Sequence, residues 1–198
     1  MRIDAIRLHR LRILVHLLAA LPLLWLPWGF ATGHFSADPV PELLHYLGIW
    51  ALRLLLLTLC VSPLAKRFRL APLVRLRRAM GLWCFAYASL HLLAWILLDL
   101  QLAWGLIGEE VLKRGFITLG MAAWIILLLL AITSTQGWQR RLGRRWQTLH
   151  HWIYPAVVIV CVHFWWSVKS GWIEPLVYLL TGLLLLFLRR ERLLRLFR

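Results

Sequence analysis

The sequence is short of acid. Eight Asp and Glu stand against 23 Lys and Arg, and none of the acids lies at the centre of an apolar run. That argues against a carboxylate path for protons or cations through a membrane interior. Cysteine is scarce as well. Cys60, Cys84 and Cys161 all fall in apolar runs and form no CxxC pair, so they read as buried structural thiols. No stretch shows the two-residue alternation of a strand, and no GxGxxG motif follows one. A nicotinamide-binding fold is therefore excluded, and the chain is not expected to draw hydride from NADPH by itself. The first apolar stretch has no convincing small-residue cleavage site, so no cleavable signal peptide is expected. No repeat or low-complexity segment stands out.

Apolar residues are what the chain does have. They make up 62% of its 198 positions, against about 45–50% in soluble domains. A spanning helix needs roughly 20 mainly apolar residues to cross about 30 Å of hydrocarbon. Six such runs are expected, near residues 13–32, 43–63, 79–99, 116–134, 148–168 and 174–189. Helices satisfy their own backbone polar groups in lipid, so the expected fold is an all-α integral membrane protein. It would be one six-helix bundle, a single transmembrane domain over residues 1–198, with short connections.

The formal net charge is +15. Its placement sets topology and excludes a nucleic-acid groove. Arg2, Arg7, Arg10 and Arg12 precede the first run. The 64–78 loop carries Lys66, Arg67, Arg69, Arg75, Arg77 and Arg78, and the 135–147 loop carries Arg140, Arg141, Arg144 and Arg145. The tail adds Arg189, Arg190, Arg192, Arg195 and Arg198. These four groups fall on one side. The other side has Lys113, Arg114 and Lys169, together with Asp38, Glu42, Asp99, Glu109, Glu110 and Glu174. The basic side is expected to be cytoplasmic, with both termini inside. Anionic lipid is a ready partner for it. Of the 13 tryptophans, most lie near span ends, as an aromatic belt requires. Trp83, Trp95 and Trp124 lie deeper and read first as packing residues.

The histidines carry the chemistry. His9 and His34 sit in polar ends or loops. His16, His45, His91, His150, His151 and His163 lie in or beside apolar runs. An ionisable side chain at membrane depth is a candidate functional group. It serves either proton relay or metal ligation, and neutral imidazole is a common axial ligand of haem iron. His91 and His163 are expected at comparable depth in the outer halves of the third and fifth spans. They could hold one haem. His150 precedes His163 by thirteen residues, about 20 Å on a helix, and suits a second site nearer the cytoplasm. On a straight helix the two rings would point roughly 140° apart, so Pro155 is a candidate kink. Thirteen residues before His91 stands Arg78, beside Arg77, so a low site on His150 needs another ligand. His16 or a non-histidine ligand is a candidate, and His151, about 100° round the helix from His150, is a possible substitute.

The stretches RRAMGLWCFAYASLHL (77–92), TSTQGWQRRLGRRWQTLHHWIY (133–154) and HFWWSVK (163–169) resemble the MsrQ (YedZ) family. DPVPELLHYLG (38–48) and TLCVSPLAKRF (58–68) extend the resemblance over nearly the whole chain. The family belongs to the ferric-reductase-like transmembrane group, with NADPH oxidases and STEAP proteins. The resemblance implies a haem b cytochrome of six helices in the bacterial inner membrane. Such a subunit takes electrons from the quinone pool or a cytoplasmic flavin reductase. It passes them to MsrP, a periplasmic molybdopterin subunit that reduces methionine sulfoxide in oxidised envelope proteins. The family histidines carry over to His91, His150 and His163. His16 and His45 also align with recurrent family histidines. FMN is attributed to the family as well, though no flavin fingerprint is legible here. NADPH oxidases carry paired histidines on both haem-bearing helices. Arg77 or Arg78 stands at that lower position here, so the expectation is one haem, or two with a shared or unusual ligand. The 100–114 and 38–42 loops are the expected docking surfaces for MsrP.

Two other functions fit the same residues. One is a free-standing ferric or cupric reductase. The other is a non-redox, proton-coupled transporter that uses the histidines as relay or substrate groups.

Overall fold

The computed structural model describes residues 4–190. Arg2, Arg192, Arg195 and Arg198, which the topology argument used, lie outside the described residues. The described chain is helical throughout, with no strand among the described residues. It falls into two compact units, parted after Trp104.

The first unit holds three long helices. Helix α1 (Ala5–Ala31) begins earlier than the apolar run, because the Asp4 carboxylate caps it by accepting from Arg7 N at 2.8 Å. Helix α2 (Pro39–Arg67) starts on a proline whose missing N–H costs nothing there. It supplies most of this unit's core, with Leu52, Leu55 and Leu59 almost fully buried. A 3₁₀ turn (Ala71–Leu76) leads into α3 (Arg77–Ala94), and a π-helical turn (Trp95–Asp99) extends it. Helices α2 and α3 pack against each other as a hairpin, and α1 lies against α3. Two tyrosines tie α1 down. Tyr87 is fully buried and donates to the Ala19 carbonyl at 2.7 Å, while Tyr46 donates to the Pro22 carbonyl at 2.9 Å.

The second unit opens with α4 (Trp104–Lys113), an exposed helix where the sequence suggested a loop. Arg114 pairs with Glu110 at 2.7 Å and Lys113 pairs with Glu109. These pairs complete two i,i+4 steps that hydropathy alone does not reveal. Helix α5 (Gly115–Ile132) follows. Two short basic helices, α6 (Gln136–Leu142) and α7 (Arg144–His150), meet at Gly143, whose φ of 50° suits glycine. Helix α8 (Ile153–Ser167) packs on α5, and α9 (Ile173–Phe187) packs on α8.

Five helical stretches are long and apolar enough to cross a membrane: Ala5–Ala31, Pro39–Arg67, Ala71–Asp99, Gly115–Ile132 and Arg144–Ser167. The sixth, α9, is a shorter apolar helix of 15 residues, about 22 Å long. Many large side chains of these helices are exposed, Leu17, Leu24, Leu180 and Leu184 among them. In water that would be a heavy cost, but lipid is their natural surroundings. The chain is a multi-pass membrane protein.

Candidate functional site

Each unit seats one histidine in the same way. In the first unit, His91 of α3 lies against α2. Its Nδ1 is 2.8 Å from the Leu44 carbonyl oxygen. In the second unit, His163 of α8 lies against α5, with Nδ1 2.6 Å from the Phe116 carbonyl oxygen. A carbonyl oxygen only accepts, so each Nδ1 carries the hydrogen. In a neutral ring that leaves the lone pair on Nε2.

A glycine stands beside each ring. A Cβ at Gly48 would come within 3.3 Å of the His91 Cε1 and Nδ1 atoms. A Cβ at Gly120 would come within 2.8 Å of the His163 Cε1 atom. In both helices the glycine follows the carbonyl residue by four positions. Both histidines lie 47 residues after their carbonyl partners. The two hairpins therefore share one design, and Leu-Gly recurs at 47–48 and 119–120. The sequence shows no repeat by composition, yet the backbone geometry does.

His150 is held differently. Its Nε2 lies 3.1 Å from Thr133 Oγ1, and its ring stacks on Trp146 with centroids 4.1 Å apart. The Trp146 indole donates to the Thr133 carbonyl at 2.8 Å. Thr133 is buried at the end of α5, and its hydroxyl reaches back to the Leu129 carbonyl at 2.6 Å. With its one hydrogen given to Leu129, that hydroxyl accepts from His150 Nε2–H. This seat has no counterpart in the first hairpin. Thirteen residues before His91 stands Arg78, and Val61 takes the place that Thr133 would have.

The helix carrying His150 and His163 is not straight. It breaks at His151 and Trp152, between α7 and α8. Pro155 sits in the first turn of α8, and the break falls at the residues one turn before it, where its missing N–H and its ring interrupt the helix. The straight-helix angle between the two rings therefore does not apply.

The remaining histidines have other settings. His16 is exposed on α1, and its Nδ1 accepts from the Trp83 indole at 2.9 Å, tying α1 to α3. Trp83, which the sequence suggested as a packing residue, thus has a polar partner as well. His151 stacks on Tyr154 with centroids 5.9 Å apart. His45 is exposed on α2, next to Leu44. His34 lies among Trp25 and Trp28 at the end of α1. Cys84 and Cys161 are buried and Cys60 is half-buried, all three as free thiols. Among the described residues, no three His, Cys, Asp or Glu side chains converge as a ligand set for a bare metal ion.

Comparisons with known proteins show the family. The family model described as "Ferric reductase like transmembrane component" matches residues 47–161, which include His91 and His150 and end two residues before His163. A protein of Klebsiella pneumoniae (strain 342) is 45% identical over 97% of this chain and 97% of its own length. It is named protein-methionine-sulfoxide reductase heme-binding subunit MsrQ. The chain belongs to the MsrQ family. Members from Cronobacter sakazakii and Yersinia pseudotuberculosis bear the same name and are each 45% identical over 98% of this chain. The MsrQ match runs nearly from end to end, so the all-helical fold here is that of ferric-reductase-like membrane proteins.

The seated histidines suit a porphyrin iron. A haem needs one or two axial nitrogens, each from a neutral ring with its lone pair outward and its other nitrogen tied down. His91 and His163 have that tie, and the glycine beside each leaves the ring room.

Proposed function

We propose that this chain is the haem b electron-transfer subunit of a methionine sulfoxide reductase system. The observation that carries the reading is the shared tautomer of His91 and His163, each fixed by a helix carbonyl. The names of its MsrQ relatives support the same reading.

Haem b, once bound, supplies a one-electron carrier. The chain provides everything around it. His91 and His163 would hold it through Nε2, and the Leu44 and Phe116 carbonyls fix the tautomer and orientation of both rings. His150 is the third ligand candidate. Its Nε2 lies on the Thr133 hydroxyl, so ligation asks either for Nδ1 or for release from Thr133. No residue is assigned to FMN.

In this reading the subunit sits in the inner membrane with both termini in the cytoplasm, which the clustering of basic residues in the loops supports. It takes electrons from the quinone pool or a cytoplasmic flavin reductase. It hands them to MsrP on the periplasmic side, where α4 and the 38–42 segment offer docking surface. The reduction of methionine sulfoxide belongs to MsrP, and this chain carries no catalytic residue for it.

The test is the reduced-minus-oxidised visible spectrum of the purified protein, with His91→Ala, His150→Ala and His163→Ala beside it. A b-type spectrum that His91→Ala and His163→Ala both diminish is expected. A well-folded wild type with no haem signal overturns the proposal.

A further inference from the structure

In an α-helix each Cα–Cβ bond tilts toward the helix N-terminus. The side chain of one residue therefore covers the turn before it, including the carbonyl four positions back. On α2, residue 48 would screen the Leu44 carbonyl. On α5, residue 120 would screen the Phe116 carbonyl. Both positions are glycine, and both carbonyls are the ones a histidine reaches.

Gly81 in α3 gives the contrast. A Cβ added there meets nothing within 4 Å. A glycine in these helices is thus not always a close approach; Gly29 and Gly115 come close to tryptophan rings, and Gly48 and Gly120 to histidine rings.

We propose that Gly48 and Gly120 are positioning residues for the axial imidazoles: each uncovers one helix carbonyl, which then fixes the tautomer and tilt of the histidine facing it. The inference rests on the haem reading above and deepens it. A carbonyl-bound Nδ1–H makes Nε2 a stronger donor to iron. A stronger donor favours ferric over ferrous iron, so both seats hold the reduction potential down. The seats differ in tolerance. At Gly48 an added methyl meets the ring at 3.3 Å, which a small shift relieves. At Gly120 it meets the ring at 2.8 Å, and the imidazole must leave its place.

The experiment uses the full chain in detergent, as wild type, Gly48→Ala, Gly120→Ala and Gly81→Ala. Haem affinity, the low-spin electron paramagnetic resonance signals and the midpoint potential are measured for each. Gly81→Ala is expected to match wild type. Gly48→Ala is expected to keep its haem with shifted g-values and a raised potential. Gly120→Ala is expected to weaken haem binding about 10–100-fold, the usual scale for loss of an outer partner. Wild-type g-values and potential in Gly48→Ala, with wild-type affinity in Gly120→Ala, overturn the proposal.

A second arm does not depend on how Gly120→Ala folds. In His163→Gly, added imidazole can donate to the Phe116 carbonyl, whereas 1-methylimidazole cannot. Both are expected to restore a low-spin spectrum, and the methylated ring gives the higher potential. Equal potentials overturn the role of the carbonyl. A wild type without haem sinks the haem reading itself, a result distinct from a haem-loaded protein indifferent to its glycines.

Discussion

Thr133 and His150 meet across 3.1 Å, hydroxyl to imidazole, at the place where α5 ends and the basic segment turns back toward α8. The contact closes a small circuit. Trp146 stacks on the same imidazole and donates to the carbonyl of the same threonine. Removing one member should be felt by the others.

Thr133→Val keeps the shape and deletes the hydroxyl. His150 then loses its Nε2 partner in a half-buried place. The expected cost is about 1–3 kcal/mol, read as a lowered thermal midpoint of the detergent-purified protein. Trp146→Phe keeps a ring for stacking and loses only the indole N–H. Its expected cost is smaller, about 0.5–1.5 kcal/mol. If the double variant costs no more than Thr133→Val alone, the two act as one unit.

His16 offers a sharper choice. Its Nδ1 is engaged by Trp83 and its ring is exposed. His16→Ala is expected to leave the amplitude of the reduced haem band unchanged and to lower stability slightly. A clear loss of haem would instead place His16 in the ligand set.

Tyr87 has its hydroxyl on the Ala19 carbonyl and no exposed surface. Tyr87→Phe fills the same space and leaves that carbonyl one partner short. A loss of about 1 kcal/mol is expected, with haem content intact. A haem defect in this variant would mean that the α1–α3 tie reaches the His91 seat.

The topology can be checked with single cysteines. A membrane-impermeant thiol reagent on intact cells should label Ser170→Cys, between α8 and α9. It should spare Thr135→Cys, beside the basic helices, until the membrane is opened. Cys84 and Cys161 are buried and add little background. The reverse pattern would invert the orientation.

The lipid-crossing helices were legible because hydrocarbon demands long apolar runs, and the loops because basic residues cluster between them. Helix α4 was not, since its residues are amphipathic and its support comes from Glu–Lys and Glu–Arg steps. The break at His151 and Trp152 was legible in Pro155, which interrupts a helix one turn before itself. Three histidines stood out as candidates because imidazole is costly in lipid. What holds His91 and His163 was not. A backbone carbonyl carries no letter of its own, and a glycine in a span looks like ordinary helix packing. The signal that could have found the seats is a spacing: a Leu-Gly pair followed by a histidine after the same interval, twice in one chain.

For both His91 and His163, the ring, the carbonyl and the gap all come from a single helix hairpin. Nothing from the other half of the polypeptide is needed to set the tautomer. A hairpin leaving the insertion machinery can thus deliver its imidazole already poised, before the remaining helices have entered the bilayer. On the proposed haem reading, cofactor loading follows assembly of each hairpin, and a nascent chain halted halfway already holds one imidazole in its seat.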